Sequence, residues 1–232
     1  MTVENQILAA LPSEVFKRLD PHLHQVSLKQ GEFIHRPGEP MSYLYFPMGC
    51  LFSVTITMQD GSTAEVGMVG RREVLGINAF MGKSETTQTE YVVQVAGSAM
   101  KIEAQILRQE FDRNGELRDV LFYYTQAFLA QVSQTAACNS LHVLEQRLAR
   151  WLLETQERIG SDYLPLTHEY VATMLGVRRS GVTLAAQKLQ ERKVIQYRRG
   201  NVQILNQSGL EASACECFKT IRTEYDRLLG SV

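Results

Sequence analysis

The feature that most restricts this fold is a change of hydrophobic period near Leu117. From about residue 25 to 107 the chain reads as short strands. The runs "HQVSLKQGEFIHRPGEP", "YLYFPMGCLFSVTITMQDGSTAEVGMVG" and "YVVQVAGSAMKIEAQIL" are parted by Gly, Pro and Asp-Gly signals. β-rich runs recurring roughly every 8–12 residues point to a sandwich or jelly roll, and Asp60-Gly61 between two alternating runs predicts a hairpin turn. From Leu117 the spacing turns helical: Leu117, Leu121, Tyr124, Phe128, Gln131 and Thr135 step by four and three. That seam predicts a helix of roughly twenty residues. Phe122, Leu129 and Val132 flank it, so the helix is apolar on a second side as well. A second copy of the chain is the simplest partner for that side, and a homodimer is expected.

Residues 1 to about 20 carry an amphipathic helix pattern, and "LHVLEQRLARWLLETQERI" predicts a helix after a hinge near residues 138–140. Gly160, Ser161 and Asp162 end it, and a small C-terminal domain follows. Thr167 is a good N-cap for "HEYVATML". Gly176 ends that helix. Arg178–Glu191 predicts the next, with Val182, Ala185, Ala186 and Leu189 as its buried stripe. "VIQYRRGNVQIL" alternates around Arg199-Gly200-Asn201 and predicts a hairpin. Helix, glycine turn, helix and basic hairpin make a winged helix-turn-helix.

Charge supports the same end of the chain. Between Leu166 and Leu205 seven basic residues stand against two acidic ones, a net of +5 in a chain whose total is −1. A basic block on an otherwise acidic chain points to a polyanion at one end only. In a helix-turn-helix the second helix enters the major groove N-terminus first. Arg178 and Arg179 suit guanine O6 and N7, while Ser180 and Thr183 suit bases or phosphates. Thr167, Arg198 and Arg199 suit the phosphate backbone, with Lys188 solvated or near a phosphate. Gly181 leaves room for the duplex to approach.

With 232 residues, 44% of them hydrophobic, the chain has core material for two domains. It has no stretch of transmembrane length and no signal-peptide pattern, so a cytoplasmic protein without a membrane partner is expected. Cys50, Cys138, Cys215 and Cys217 read as reduced thiols. A C-x-C pair with no second cluster in sequence assigns no metal site. His22, His24, His35, His142 and His168 do not cluster along the chain and read as surface or satisfied residues. No nucleophile–base pair, P-loop or carboxylate dyad is present, so no catalysis is expected.

On "LTHEYVATMLGVRRSGVTLAAQKLQERKVIQYRRGNVQIL" and "HLHQVSLKQGEFIHRPGEPMSYLYFPMGC" the chain resembles Crp/Fnr-family transcription regulators over about residues 10–205. The resemblance implies an α+β architecture. Residues 1–115 would form a cyclic-nucleotide-binding-like β-roll (jelly-roll-like) sensor domain, 116–139 a long dimerisation helix, and 140–232 a winged helix-turn-helix DNA-binding domain. It also implies a palindromic double-stranded DNA operator and RNA polymerase as partners. Catabolite-activator members open the recognition helix with Arg-Glu and place another Arg four residues after the Glu. Here those positions hold Arg179, Ser180 and Leu184, so a different operator is expected.

The β-roll departs further. Members that bind cAMP carry Gly-Glu, then Arg-Ser about ten residues on. The resemblance aligns Gly76-Ile77 and Thr87-Gln88 with those pairs. Ile cannot accept from a ribose hydroxyl, and a buried phosphate without a cation is costly. cAMP is therefore not expected to bind in the usual way. Ser133 falls where the family places a hydroxyl on the base. No iron–sulfur cluster or haem is expected, because the first cysteine is Cys50 and "MVGRREVLGINAF" holds no axial ligand. A larger nucleotide such as cyclic di-GMP would use Arg71 and Arg72, with Asn78, since arginine pairs with phosphate and stacks on guanine. Against that, "GRRE" reads as a solvated turn. Effector-free operation is also open, with Ile77, Phe80 and Tyr91 filling the pocket. A reading of another class is a ligand-binding or protein-interaction module with a vestigial DNA-binding domain.

Overall fold

The computed structural model describes residues 4–81 and 86–230, and each expected region takes its shape from local sequence rules. The N-terminal helix pattern is interrupted. Helices α1 (Gln6–Ala9) and α2 (Ser13–Leu19) stand where one helix was expected, and residues 1–3 lie outside the described part. Pro12 is the cause: its ring disfavours helical backbone at the residue before it, and Pro12 itself is extended at ψ 145. Asn5 caps α1 through its side-chain oxygen, which accepts from Ile7 N and Leu8 N.

Among the described residues the β region holds seven strands: β1 (His24–Leu28), β2 (Phe33–His35), β3 (Tyr43–Pro47), β4 (Leu51–Thr57), β5 (Thr63–Val69), β6 (Glu90–Val95) and β7 (Gly97–Glu103). They form two sheets, ordered β1-β7-β3 and β2-β6-β4-β5. The β3–β7 pair is antiparallel with Tyr45 opposite Lys101. Leu44, Phe46 and Ile102 of one sheet are buried. In the other, consecutive residues of β4 and β6, among them Phe52, Val54 and Val93, are buried on both faces. Asp60-Gly61 makes the expected turn between β4 and β5: Asp60 Oδ1 accepts from Ser62 N at 2.9 Å. The strand pattern ends earlier than residue 107. After β7 the chain turns into α4 (Ala104–Phe111), whose buried Ala104 and Leu107 recur at helical spacing. A short helix α3 (Asn78–Met81) lies before β6.

Helix α5 (Glu116–Leu141) is longer than the seam suggests, at 26 residues, and it passes through positions 138–140 without a break. The turn falls instead at His142 and Val143, because Val143 is extended and caps α6 (Leu144–Ile159). On α5 the seam residues Leu117, Leu121, Tyr124, Gln131 and Thr135 are buried. The flanking Phe122 and Leu129 remain 45% and 60% exposed.

Beyond α6 come β8 (Tyr163–Leu164), α7 (His168–Leu175), α8 (Arg179–Glu191), β9 (Ile195–Arg198), β10 (Asn201–Ile204), α9 (Gln207–Ser213) and α10 (Cys217–Leu229). β8 joins the expected hairpin to give a three-stranded sheet, β8-β10-β9. The chain packs as two compact units. One comprises residues 1–54, 68–129 and 225–232, the other 55–67 and 130–224. No helix among the described residues is long and apolar enough to cross a membrane.

Candidate nucleic-acid interface

The helix-turn-helix is built from caps. Thr167 accepts from Tyr170 N at 3.1 Å and starts α7. At the other end Gly176 sits at φ +63, Gly176 N donates to Thr173 O at 3.1 Å, and Val177 N donates to Ala172 O at 3.0 Å. This paired pattern closes the last turn and reverses the chain, and glycine takes the left-handed position without penalty. Buried Arg147 of α6 completes the turn by donating through Nη2 to Leu175 O at 2.6 Å. A cation against the carboxyl end of a helix also suits the helix dipole.

Arg178 is the N-cap of α8 rather than its first residue. Its backbone is extended and it makes no side-chain cap. Val182, Ala185, Ala186 and Leu189 are the buried stripe, as the spacing predicts. Gly181 is half-buried, and a β-carbon there would meet Leu144 Cδ2 at 2.9 Å. The glycine lets α8 approach α6, which corrects its reading as clearance for the duplex.

Arg178, Arg179 and Ser180 are exposed at the start of α8. Arg179 is held only loosely: its Nε lies 3.9 Å from Glu169 Oε2, with both side chains mostly in solvent. Such an exposed pair contributes little. Thr183 is less free than its neighbours. It is half-buried, its hydroxyl donates to Arg179 O at 3.1 Å, and it lies 3.1 Å from His168 Nδ1. The His168 ring packs on Tyr197 at 4.0 Å, and Tyr197 donates its hydroxyl hydrogen to Leu166 O. Burial, then the nearby Arg179 charge, hold the His168 imidazole below its ordinary range.

Lys188 is solvated, as expected, but it is not free. It lies 3.6 Å from Glu145 Oε2, and Arg192 shares that carboxylate at 2.8 Å. One turn before Lys188 the helix exposes Leu184, 62% accessible, which matches thymine-methyl contact rather than a hydrogen bond. At the hairpin tip Arg199 sits at φ +47 and Gly200 at φ +80, the signs a tight two-residue hairpin turn demands. Arg198 and Arg199 are exposed and form no ion pair with any described residue.

The first unit treats its arginine pair differently. Arg72 is buried: its Nη2 donates to Asp226 Oδ1 at 2.8 Å and to Gly230 O at 2.9 Å. Glu73 is buried as well and accepts from Gly70 N, so "GRRE" is an internal turn and not a solvated one. Arg71 is partly covered, and its carbonyl accepts from Gln6 N at 2.8 Å. Asn78 is partly covered at the start of α3, and Ser133 is exposed on α5. Thr87 is tied locally to Thr89, at 2.9 Å between hydroxyls, and Gln88 is exposed. Ile77, Phe80 and Tyr91 are buried.

Sequence reasoning missed one grouping. Cys138, His142, Cys215 and Cys217 converge in the second unit, so His142 is neither isolated nor a plain surface residue. No local spacing signals this, since 77 positions separate Cys138 from Cys215.

A cyclic nucleotide-binding domain model matches residues 25–114, and a Crp-like helix-turn-helix domain model matches residues 146–213. No curated protein matches the chain. Among solved structures, FixK2 from Bradyrhizobium japonicum aligns at TM-score 0.71 and 15% identity, over 83% of this chain and 98% of its own. A transcriptional regulator of the Crp/Fnr family from Eubacterium rectale aligns at 0.67 and 18%, over 89% of this chain and 96% of its own. The c-di-GMP-responsive global regulator CLP of Xanthomonas campestris aligns at 0.67 and 18%, over 83% and 99%. These identities speak for a shared fold. With a cyclic nucleotide-binding domain followed by a long helix and a Crp-like helix-turn-helix, the chain belongs to the Crp/Fnr family of regulators.

Proposed function

We propose that the protein is a homodimeric, sequence-specific DNA-binding transcription regulator. The observation that carries this is the state of the arginines: Arg178, Arg179, Arg198 and Arg199 are all exposed on one helix-turn-helix and its wing. Arg179 reads a guanine edge, with Ser180 beside it, and Leu184 meets a thymine methyl. Arg178, Thr167 and the wing arginines position the duplex through phosphates. Lys188, turned toward Glu145, contributes long-range charge and not a base contact.

The exposed Phe122 and Leu129, two turns apart on α5, support a second copy as the partner of that face. A dimer joined there reads two half-sites about 34–36 Å apart on a palindromic operator. RNA polymerase is the downstream partner this role implies, and the cytoplasm is its place of action.

cAMP is not the switch in the usual mode. Ile77 is buried at the position aligned with the ribose-binding carboxylate, and Thr87 and Gln88 carry no charge for a phosphate. A cyclic di-GMP site at Arg71 and Arg72, suggested by the response of CLP to that ligand, would have to draw Arg72 away from Asp226. A ligand that shifts the two recognition helices does so by no more than its differential affinity for the two poses.

The test is a salt-titrated DNA-binding measurement on the dimer. Affinity falling steeply with salt, and sharpening on one palindrome, is expected. A chain that binds no fragment at low salt refutes the reading and favours a ligand-binding module with a vestigial helix-turn-helix.

A further inference from the structure

Four donors that are far apart in sequence meet at one point. Cys138 lies in the last turn of α5, and His142 follows one helical turn later, in the link to α6. Cys215 and Cys217 flank Glu216 where α9 gives way to α10. Their ligand atoms, three Sγ and one imidazole nitrogen, all lie within 4.8 Å of one another. Cys138 Sγ is 3.5 Å from Cys215 Sγ, and Cys217 Sγ is 3.5 Å from His142 Nδ1. All three cysteines are buried and free of disulfides.

These spacings have a specific meaning. A tetrahedral zinc ion with Zn–S of about 2.3 Å and Zn–N of about 2.0 Å separates its donors by roughly 3.5–3.8 Å. The two distances above fall at that edge length. A disulfide needs sulfurs about 2.05 Å apart and would leave Cys217 and His142 without a role. A multi-iron cluster places its thiolates on different irons and spreads them more widely than this group.

The surroundings complete the case. His142 turns Nδ1 to the thiols and its other nitrogen, Nε2, to Glu216 Oε2 at 3.3 Å. A carboxylate on the outer nitrogen is what fixes the tautomer and orientation of a metal-binding histidine. Gln134 Nε2 donates to Cys217 Sγ at 3.1 Å, as amides do toward metal-bound thiolates.

We propose that Cys138, His142, Cys215 and Cys217 form a mononuclear, four-coordinate Cys3His site for zinc. All four positions come from the protein, so the site is structural and not catalytic. It fastens the C-terminal end of α5 and the α5–α6 link to the α9–α10 junction. The ion supplies what the short link does not, a fixed path from the long helix into the helix-turn-helix.

The test measures metal on the full chain purified under reducing conditions. About one zinc per chain is expected, and cobalt exchanged into it should give intense tetrahedral ligand-field bands with thiolate-to-cobalt charge transfer. The Cys215→Ser/Cys217→Ser variant should retain less than about a tenth of that metal, whereas Cys50→Ala, altered at a buried thiol outside the group, should retain all of it. Because the double variant can fail to fold, zinc release from the unmodified chain by a mercurial titrant provides the second reading, complete once the three thiols have reacted. Reduced protein that takes up neither zinc nor cobalt overturns the proposal. So does a folded double variant that keeps its zinc, or iron with acid-labile sulfide in place of zinc.

Discussion

The chain contains two stretches in which glycine precedes an arginine pair, and the fold treats them in opposite ways. After Gly70, Arg72 is drawn inside onto Asp226 and the Gly230 carbonyl. After Gly176 and Val177, Arg178 and Arg179 stay in solvent with one long contact to Glu169. The local sequence is nearly the same. What differs is whether a later segment offers an acceptor: α10 brings Asp226 to the first pair, while the surface before α8 offers nothing close. A buried arginine with a close partner holds structure together, and an exposed one with only a distant partner is available to a polyanion.

This contrast can be broken by substitution. The largest expected effect is on Arg72→Ala, which strands Asp226 and a carbonyl and should cost about 2–3 kcal/mol of stability. Chemical denaturation would read it as a lower midpoint, while operator affinity of the folded fraction stays unchanged. A neutral Arg72→Ala would mean the first pair is as free as the second. Arg179→Ala should do the reverse: unchanged stability, but roughly 2 kcal/mol, or about thirtyfold, off the specific operator and much less off random DNA. Equal losses on both DNAs would place Arg179 on phosphate alone. The smallest effect sharpens the contrast at the wing. Arg199→Asn relieves a left-handed arginine, so about 1 kcal/mol of added stability is expected. Removal of one phosphate contact should also lower the salt slope by about one on every sequence. A more stable variant with an unchanged slope would show that the wing tip does not touch DNA.

Much of this fold was legible because its signals are local. The Asp60-Gly61 turn, the Thr167 cap, the Gly176 reversal and the buried stripe of α8 each follow from a few adjacent residues. The misses came from what lies across the chain. Pro12 broke a helix that hydrophobic spacing alone supported. Gly181 looked like clearance for DNA, and only the position of Leu144 shows that it clears α6. Lys188 is the solvated cation expected, but its pairing with Glu145 of α6 has no local signal. The cysteines show the limit most sharply. "CEC" alone is an unremarkable pair, and its partners, one helical turn apart on α5 and its link, are brought to it only by the tertiary fold.

The second unit takes in residues 55–67, the tip of the β4–β5 hairpin, along with the chain from Ala130 onward. Trp151 of α6 donates from Nε1 to Glu65 Oε1 of that hairpin at 2.7 Å, and both side chains are buried. A fragment beginning at Leu144 would leave the indole nitrogen without its acceptor. It would also lose Cys138 and His142 from the group that Cys215 and Cys217 complete. No single scission therefore releases the DNA-reading half in its native form. A shuffled or truncated regulator carrying residues 144–230 inherits the recognition helix but not the supports that hold it in register.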